Sequence, residues 1–255
     1  MGNEIRDESN LQAYIMRKFG LGEFAWVKHI STIKVSPEID LLDVNVNQKL
    51  VTGFEFKLLR YHRGWKKVNF YPLYQGIGQA LSYFNFGVDK SYLVLGLSRG
   101  IPKESLLRTM KKIDETIAVF NMLKALHVKR IDEIGEEIGE LLGVASQIED
   151  KVNMLMFGTN IPRTPFKPLE ALFKPLQDIR MKSLELSKSL EKKISGIGCF
   201  GIMVWTEHDD LLLTKLKAED TFPVSSDGDL QHKKECLLRK EFKYDKNFLT
   251  RGELR

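Results

Sequence analysis

The sequence predicts an α/β protein, a mixed β-sheet flanked by helices and interrupted by a large helical insertion. Three observations carry this. Short apolar runs with strand-like alternation occur before residue 100 and again after residue 196. Residues 101–195 between them are helical in period. At 255 residues the chain has room for one large domain or two small ones. The expected organisation is an α/β core over 1–100 and 196–224, a helical insertion over 101–195, and a basic tail over 225–255.

The elements follow in order. Residues 7–19 read as a helix, because Leu11, Ile15 and Phe19 recur at four-residue spacing with Met16 beside them. Glu8 stands three residues before Leu11 on the same stripe and so points toward the sheet. Residues 24–35, 39–46 and 50–59 read as strands. Asn45-Val46-Asn47-Gln48 supplies the turn between the last two. Residues 72–86 read as a helix with Leu73, Ile77, Ala80, Leu81 and Phe84 inward, and 91–97 as a short buried strand. Residues 103–157 and 169–194 are helical in period. Pro162, Pro165, Pro168 and Pro175 break the helix between them. Two strands close the core at 199–205 and 211–217, across the polar turn 206–210. The last thirty residues read as a helix or a partly ordered tail.

Composition narrows the class of partner. Net charge is +5, which permits an anionic partner without demanding one. The excess is local: residues 233–255 hold eight Lys/Arg against four Asp/Glu. Cys199 and Cys236 form no Cys-x-x-Cys pair, which excludes a disulfide framework and a cysteine-rich zinc site. Free thiols and an acidic N-terminus without an apolar core point to the cytoplasm rather than to secretion. Val68 to Val88 carries no charge over 21 residues. Pro72, Asn69, Gln75, Gln79, Ser82 and Asn85 interrupt it too often for a spanning helix, so no membrane is expected.

The chemistry concentrates at Glu55-Phe56-Lys57. In a strand Phe54, Phe56 and Leu58 share one face and Glu55 and Lys57 the other. A carboxylate and an ammonium in so apolar a run are costly to bury unless they face a metal, a ligand or each other. Glu-x-Lys recurs at Glu149, Glu191 and Glu241, but in charged surroundings. Only the copy at Glu55 follows an apolar strand with its own acid, Ile39-Asp40-Leu41-Leu42. A short hairpin would set Asp40 beside Glu55, with Lys57 about 7 Å further along the same face. Burial would depress the Lys57 pKa, as a general base requires.

Taken in order, these elements resemble the PD-(D/E)XK, or restriction-endonuclease-like, nuclease superfamily. The matching pieces are Glu8 on the first helix, Asp40, and Glu55-Phe56-Lys57. Gln79-Ala80-Leu81-Ser82-Tyr83 resembles the Gln-x-x-x-Tyr element of its RecB-like branch. The likeness covers residues 4–97, extends loosely over 196–218 and leaves 101–195 unexplained. Pro37 precedes Asp40 by three residues rather than adjoining it. The resemblance implies a Mg²⁺- or Mn²⁺-dependent deoxyribonuclease. Asp40, Glu55 and the Phe56 carbonyl would bind metal, with Glu8 joining directly or through water. Lys57 would position the attacking water. Gln79 and Tyr83 would support the site or touch DNA. Asp43 is an alternative ligand, though on a strand it faces away from Asp40. The alternative function is a non-catalytic nuclease-like module that binds DNA or protein.

Directly after the site strand comes Arg60-Tyr61-His62-Arg63-Gly64-Trp65-Lys66-Lys67. Cations interleaved with flat rings suit phosphates and splayed bases, so Arg60, Arg63, Trp65, Lys66 and Lys67 are candidate nucleic-acid contacts. Other motifs carry less. Gly196-Ile197-Gly198-Cys199-Phe200-Gly201 matches G-x-G-x-x-G, but a helix precedes it and a strand follows, the reverse of a dinucleotide fingerprint. Gly135, Gly139 and Gly143 suit either a close helix contact, such as a homodimer through the insertion, or the ends of short helices. Residues 128–157 suggest a helix-turn-helix, but its would-be reading helix is acidic.

Overall fold

The computed structural model describes residues 5–30, 38–122, 124–125, 198–219 and 228–251. The chain divides into two compact units, Met1–Met122 with Ile194–Arg255, and Leu123–Lys193. The first unit is an α/β layer structure. Its mixed six-stranded sheet runs in the order β1-β2-β3-β6-β7-β8. The strands are β1 (Phe24–Val27), β2 (Ile39–Asn45), β3 (Leu50–Leu59), β6 (Lys90–Leu97), β7 (Phe200–Thr206) and β8 (Leu211–Leu216). A separate two-stranded ribbon joins β4 (Tyr61–His62) to β5 (Lys67–Val68). Strands β3, β6 and β7 are mutually parallel, and the outer pairings are antiparallel.

Local chemistry sets the β2–β3 register. Asn45 Oδ1 accepts from the Gln48 amide at 3.0 Å, and Lys49 takes the left-handed conformation at φ 50°. That turn closes the hairpin with Asn45 opposite Leu50 and Leu41 opposite Phe54. The same register carries Asp40 opposite Glu55. β3 lies at the centre of the sheet, and all of it but Leu50 is buried. A strand covered on both faces must be apolar on both, which makes Glu55 and Lys57 exceptional.

Helices cover the two faces. α1 (Glu8–Phe19) is capped by Asp7, whose carboxylate accepts from the Asn10 amide, and stops at Gly20 in the left-handed region. Its Leu11, Ile15 and Met16 pack with Leu41, Phe54, Phe56 and Leu58. α2 (Tyr71–Ser82) crosses the other face and tightens into a 3-10 turn over Tyr83–Phe86. Residues 103–122 form α3, which places Ile113, Ile117 and Phe120 against Leu95, Phe200 and Val204. The C-terminal segment belongs to this unit too. α4 (Gly228–Leu238) buries Cys236 and Leu237 beside Tyr83, and Lys234 pairs with Asp89 at 2.6 Å. α5 (Phe248–Arg251) buries Phe248 against the α1 side of the core.

β1 ends at Val27, short of the expected strand, and Lys28 then bridges to Lys243. Residues 31–37 lie outside the described ones. So do the glycine repeat at 135–143, the helix-turn-helix suggestion, the four prolines and the helix at 169–194. Cys199 and Cys236 are buried and unbridged. Among the described residues no helix is long and apolar enough to cross a membrane.

Gly76 determines how closely α2 approaches the sheet. A Cβ there would stand 2.6 Å from Leu93 Cδ1 and 2.7 Å from Lys57 Cγ. At Gly78, two residues on, a Cβ would meet nothing within 4 Å. Gly76→Ala is therefore expected to destabilise by about 1–3 kcal/mol through overpacking. Gly78→Ala is expected to stabilise by about 0.5–1 kcal/mol through helix propensity. Urea unfolding of the two variants reads both signs.

Candidate active site

The geometry begins with β3. Its pleat aims Glu55 and Lys57 at the face under α2, while Phe56 points to the opposite core with its side chain fully buried. Lys57 Nζ donates to Glu55 Oε1 at 2.6 Å, with both side chains buried. Across the hairpin, Asp40 Oδ2 accepts from the Phe56 amide at 2.9 Å. Glu8, in the first turn of α1, brings Oε2 to 3.4 Å from Lys57 Nζ and Oε1 to 3.5 Å from the Leu58 amide. Three elements thus deliver three carboxylates to one ammonium.

Tyr83 closes the site from beneath the helix layer. Its hydroxyl donates to Glu55 Oε2, accepts from the Asp40 amide at 3.3 Å, and lies 3.3 Å from the Glu38 carbonyl oxygen. Tyr83 is 0% exposed, its hydroxyl enclosed among Glu55, Asp40 and Glu38. Gln79 sits one turn earlier on α2. Its Oε1 is buried and accepts no hydrogen bond from a described residue, which is unusual in a native structure.

One participant escapes the sequence reading. Gln12 is buried in α1 and its Nε2 donates to the Asp40 carbonyl. The signal was present: Gln12 follows Glu8 by four residues and so shares its helix face.

Electrostatics follow from burying an acid-rich set. Burial, followed by the nearby Glu55 charge, pushes Asp40 from its ordinary 3.8 up to about 8, against the pull of the Phe56 amide and Lys57. Burial also raises Glu55, opposed by Lys57 and by the Tyr83 hydroxyl. Tyr83 is pushed well above 10.0, first by burial and then by Asp40 and Glu55. Lys57 corrects the sequence expectation. Burial alone lowers it, but Glu55, then Asp40 and Glu8, outweigh burial and raise its pKa above 10.5. It is an ammonium at neutral pH and a hydrogen-bond donor.

The donor set suits a hard divalent cation. All the ligating candidates are oxygens, the acids outnumber the base three to one, and the Gln79 oxygen is unsatisfied. Among the described residues no three His, Cys, Asp or Glu side chains already stand grouped as a metal cage. Asp43, the alternative ligand, lies apart from this set, beside Glu23 at a shallow pocket.

The basic segment forms the β4–β5 ribbon. Arg60 Nη2 donates to the Arg6 carbonyl, His62 stacks on Trp65 at 4.2 Å between centroids, and Lys67 Nζ lies 5.6 Å from the Trp65 ring. Arg63 and Lys66 make no ion pair with a described residue. Comparison with protein-family models, curated proteins and solved structures returns no match.

Stability should register the acid excess. A carboxyl whose pKa is raised on folding stabilises most below its unfolded value, and that contribution is lost as pH rises through the folded value. In EDTA the protein is therefore expected to lose stability between about pH 4 and pH 8. Asn at 40 keeps the acceptor for the Phe56 amide and removes the charge. Asp40→Asn should gain on the order of 2 kcal/mol at pH 8, discounted because Asp40 is only half-buried, and gain little at pH 5. Thermal unfolding across pH checks this. Equal profiles for the two proteins would contradict the assigned electrostatics.

Proposed function

We propose that the protein is a divalent-metal-dependent nuclease with a restriction-endonuclease-like core, akin to the RecB-like branch, that hydrolyses phosphodiester bonds in DNA. The observation that carries this reading is the convergence of Glu8, Asp40, Glu55 and Lys57 from three elements into one partly buried, acid-rich set. A purely structural ion pair would need one acid, not three. Residues 101–195 are read as a helical insertion into that core. Unbridged, buried thiols fit a cytoplasmic location.

The roles divide by chemistry. Asp40 and Glu55, with the Phe56 carbonyl and Glu8, would hold Mg²⁺ or Mn²⁺. When bound, the cation supplies Lewis-acid activation and neutralises phosphate charge. Everything else falls to the chain. The Phe56 amide fixes one Asp40 oxygen, Gln12 holds the Asp40 backbone, and Tyr83 fixes one Glu55 oxygen. These bonds hold the two carboxyl groups side by side. Lys57, as an ammonium, donates hydrogen bonds that align the attacking water with phosphorus and offset charge on the phosphate. Gln79 brings an uncommitted acceptor to the same helix face.

A second reading has one observation in its favour. Lys57 is already satisfied by Glu55 at 2.6 Å, which suits a silent, nuclease-like binding module. Digestion of plasmid and linear DNA with Mg²⁺ separates the two. The nuclease reading expects cleavage that EDTA stops and that Asp40→Ala or Lys57→Ala lowers at least about a hundred-fold. Cleavage that survives both substitutions overturns it. Salt-sensitive DNA binding with no cleavage in any divalent metal selects the silent module.

A further inference from the structure

From the β4–β5 ribbon and the helix beside it, we infer a binding groove for single-stranded nucleic acid. The inference rests on the nuclease reading for its meaning, since it names the form of substrate that reaches the site. A cavity of about 400 Å³ lies between ribbon and α3, lined by Trp65, Lys66, Lys67, Phe70, Ser105 and Arg108 among others. No acid lines it. Lys66 and Arg108 form no ion pair with any described residue, and among those residues Lys67 Nζ meets only the Trp65 ring. Cations gathered at a cavity without counter-charge repel one another, and an anion relieves them.

The rings decide which anion. Trp65 is 63% exposed despite its size, and its stack with His62 presents a flat pair at the surface. Tyr71 and Tyr74, in the first turn of α2 next to Phe70, are 68% and 52% exposed. Exposed flat rings beside cations take unstacked bases and phosphates together. A duplex hides its base faces within its own stack and offers these rings nothing but its ends. An acidic peptide would satisfy the cations and leave the rings bare. The ribbon also starts four residues after Lys57, about 13 Å of extended chain. A strand lying in the groove therefore runs toward the acid-rich set.

Fluorescence anisotropy in EDTA reads the groove without cleavage. The probes are a labelled twenty-nucleotide oligo(dT) and a duplex of equal length. The groove predicts at least ten-fold tighter binding of the single strand. Trp65→Ala should weaken it roughly ten-fold. Lys66→Ala and Arg108→Ala should each flatten the slope of log affinity against log salt by about 0.7. Lys246→Ala, an exposed cation elsewhere, should change neither. Equal affinity for duplex, displacement of oligo(dT) by poly-glutamate as readily as by unlabelled oligo(dT), or full affinity in a folded Trp65→Ala protein each overturns the groove. Strand binding without metal-dependent cleavage leaves the groove standing and removes the nuclease. Cleavage indifferent to strandedness does the reverse.

Discussion

Three carboxylates around one ammonium, with Glu55 and Lys57 buried and Asp40 and Glu8 partly so, are the constraint on which the rest of this structure turns. Lys57 neutralises Glu55 directly at 2.6 Å and Glu8 at longer range, while Asp40 is left to hold a proton up to about pH 8. Such a set is costly to bury, because each ion gives up water and two of the acids repel. The surrounding fold supplies the bonds that make it tolerable: the Phe56 amide, the Tyr83 hydroxyl and the Gln12 amide each take one oxygen. Apolar residues at these positions would give a more stable sheet. Acids placed there against that cost point to a use.

The architecture serves that arrangement. A tight hairpin places Asp40 beside Glu55, and the parallel pairing of β3 with β6 puts the site strand at the centre of the sheet. Gly76 lets α2 lie close enough for Lys57 to be roofed, and Tyr83 enters where that helix tightens. The C-terminal helix packs against Tyr83 from the other side. Stability of the fold and geometry of the site therefore share residues, so substitutions in α2 or α4 should be felt at Glu55.

Much of this was legible in the residues. Strands β2, β3 and β6 follow from apolar alternation and the Asn45 turn, and helix α1 from its four-residue period. Glu8, Asp40, Glu55, Lys57 and Tyr83 were singled out by order and context, and the structure brings those five together. What stayed hidden depends on distance in three dimensions. The raised pKa of Lys57 arises from acids 2, 17 and 49 residues away, whose summed pull exceeds its burial. Gln12 is an ordinary polar residue until the Asp40 carbonyl is set against it. The order of the C-terminal segment comes from pairing with distant partners, Lys243 with Lys28 and Lys234 with Asp89.

The central claim is that this acid-rich set is completed by a divalent cation. Calorimetric titration of Mn²⁺ into the purified protein at neutral pH tests it most directly. The account predicts saturable binding at the site in the wild type, abolished by Asp40→Asn and by Glu55→Gln while both variants remain folded. Absence of binding in the wild type, or binding that both variants retain, would contradict it.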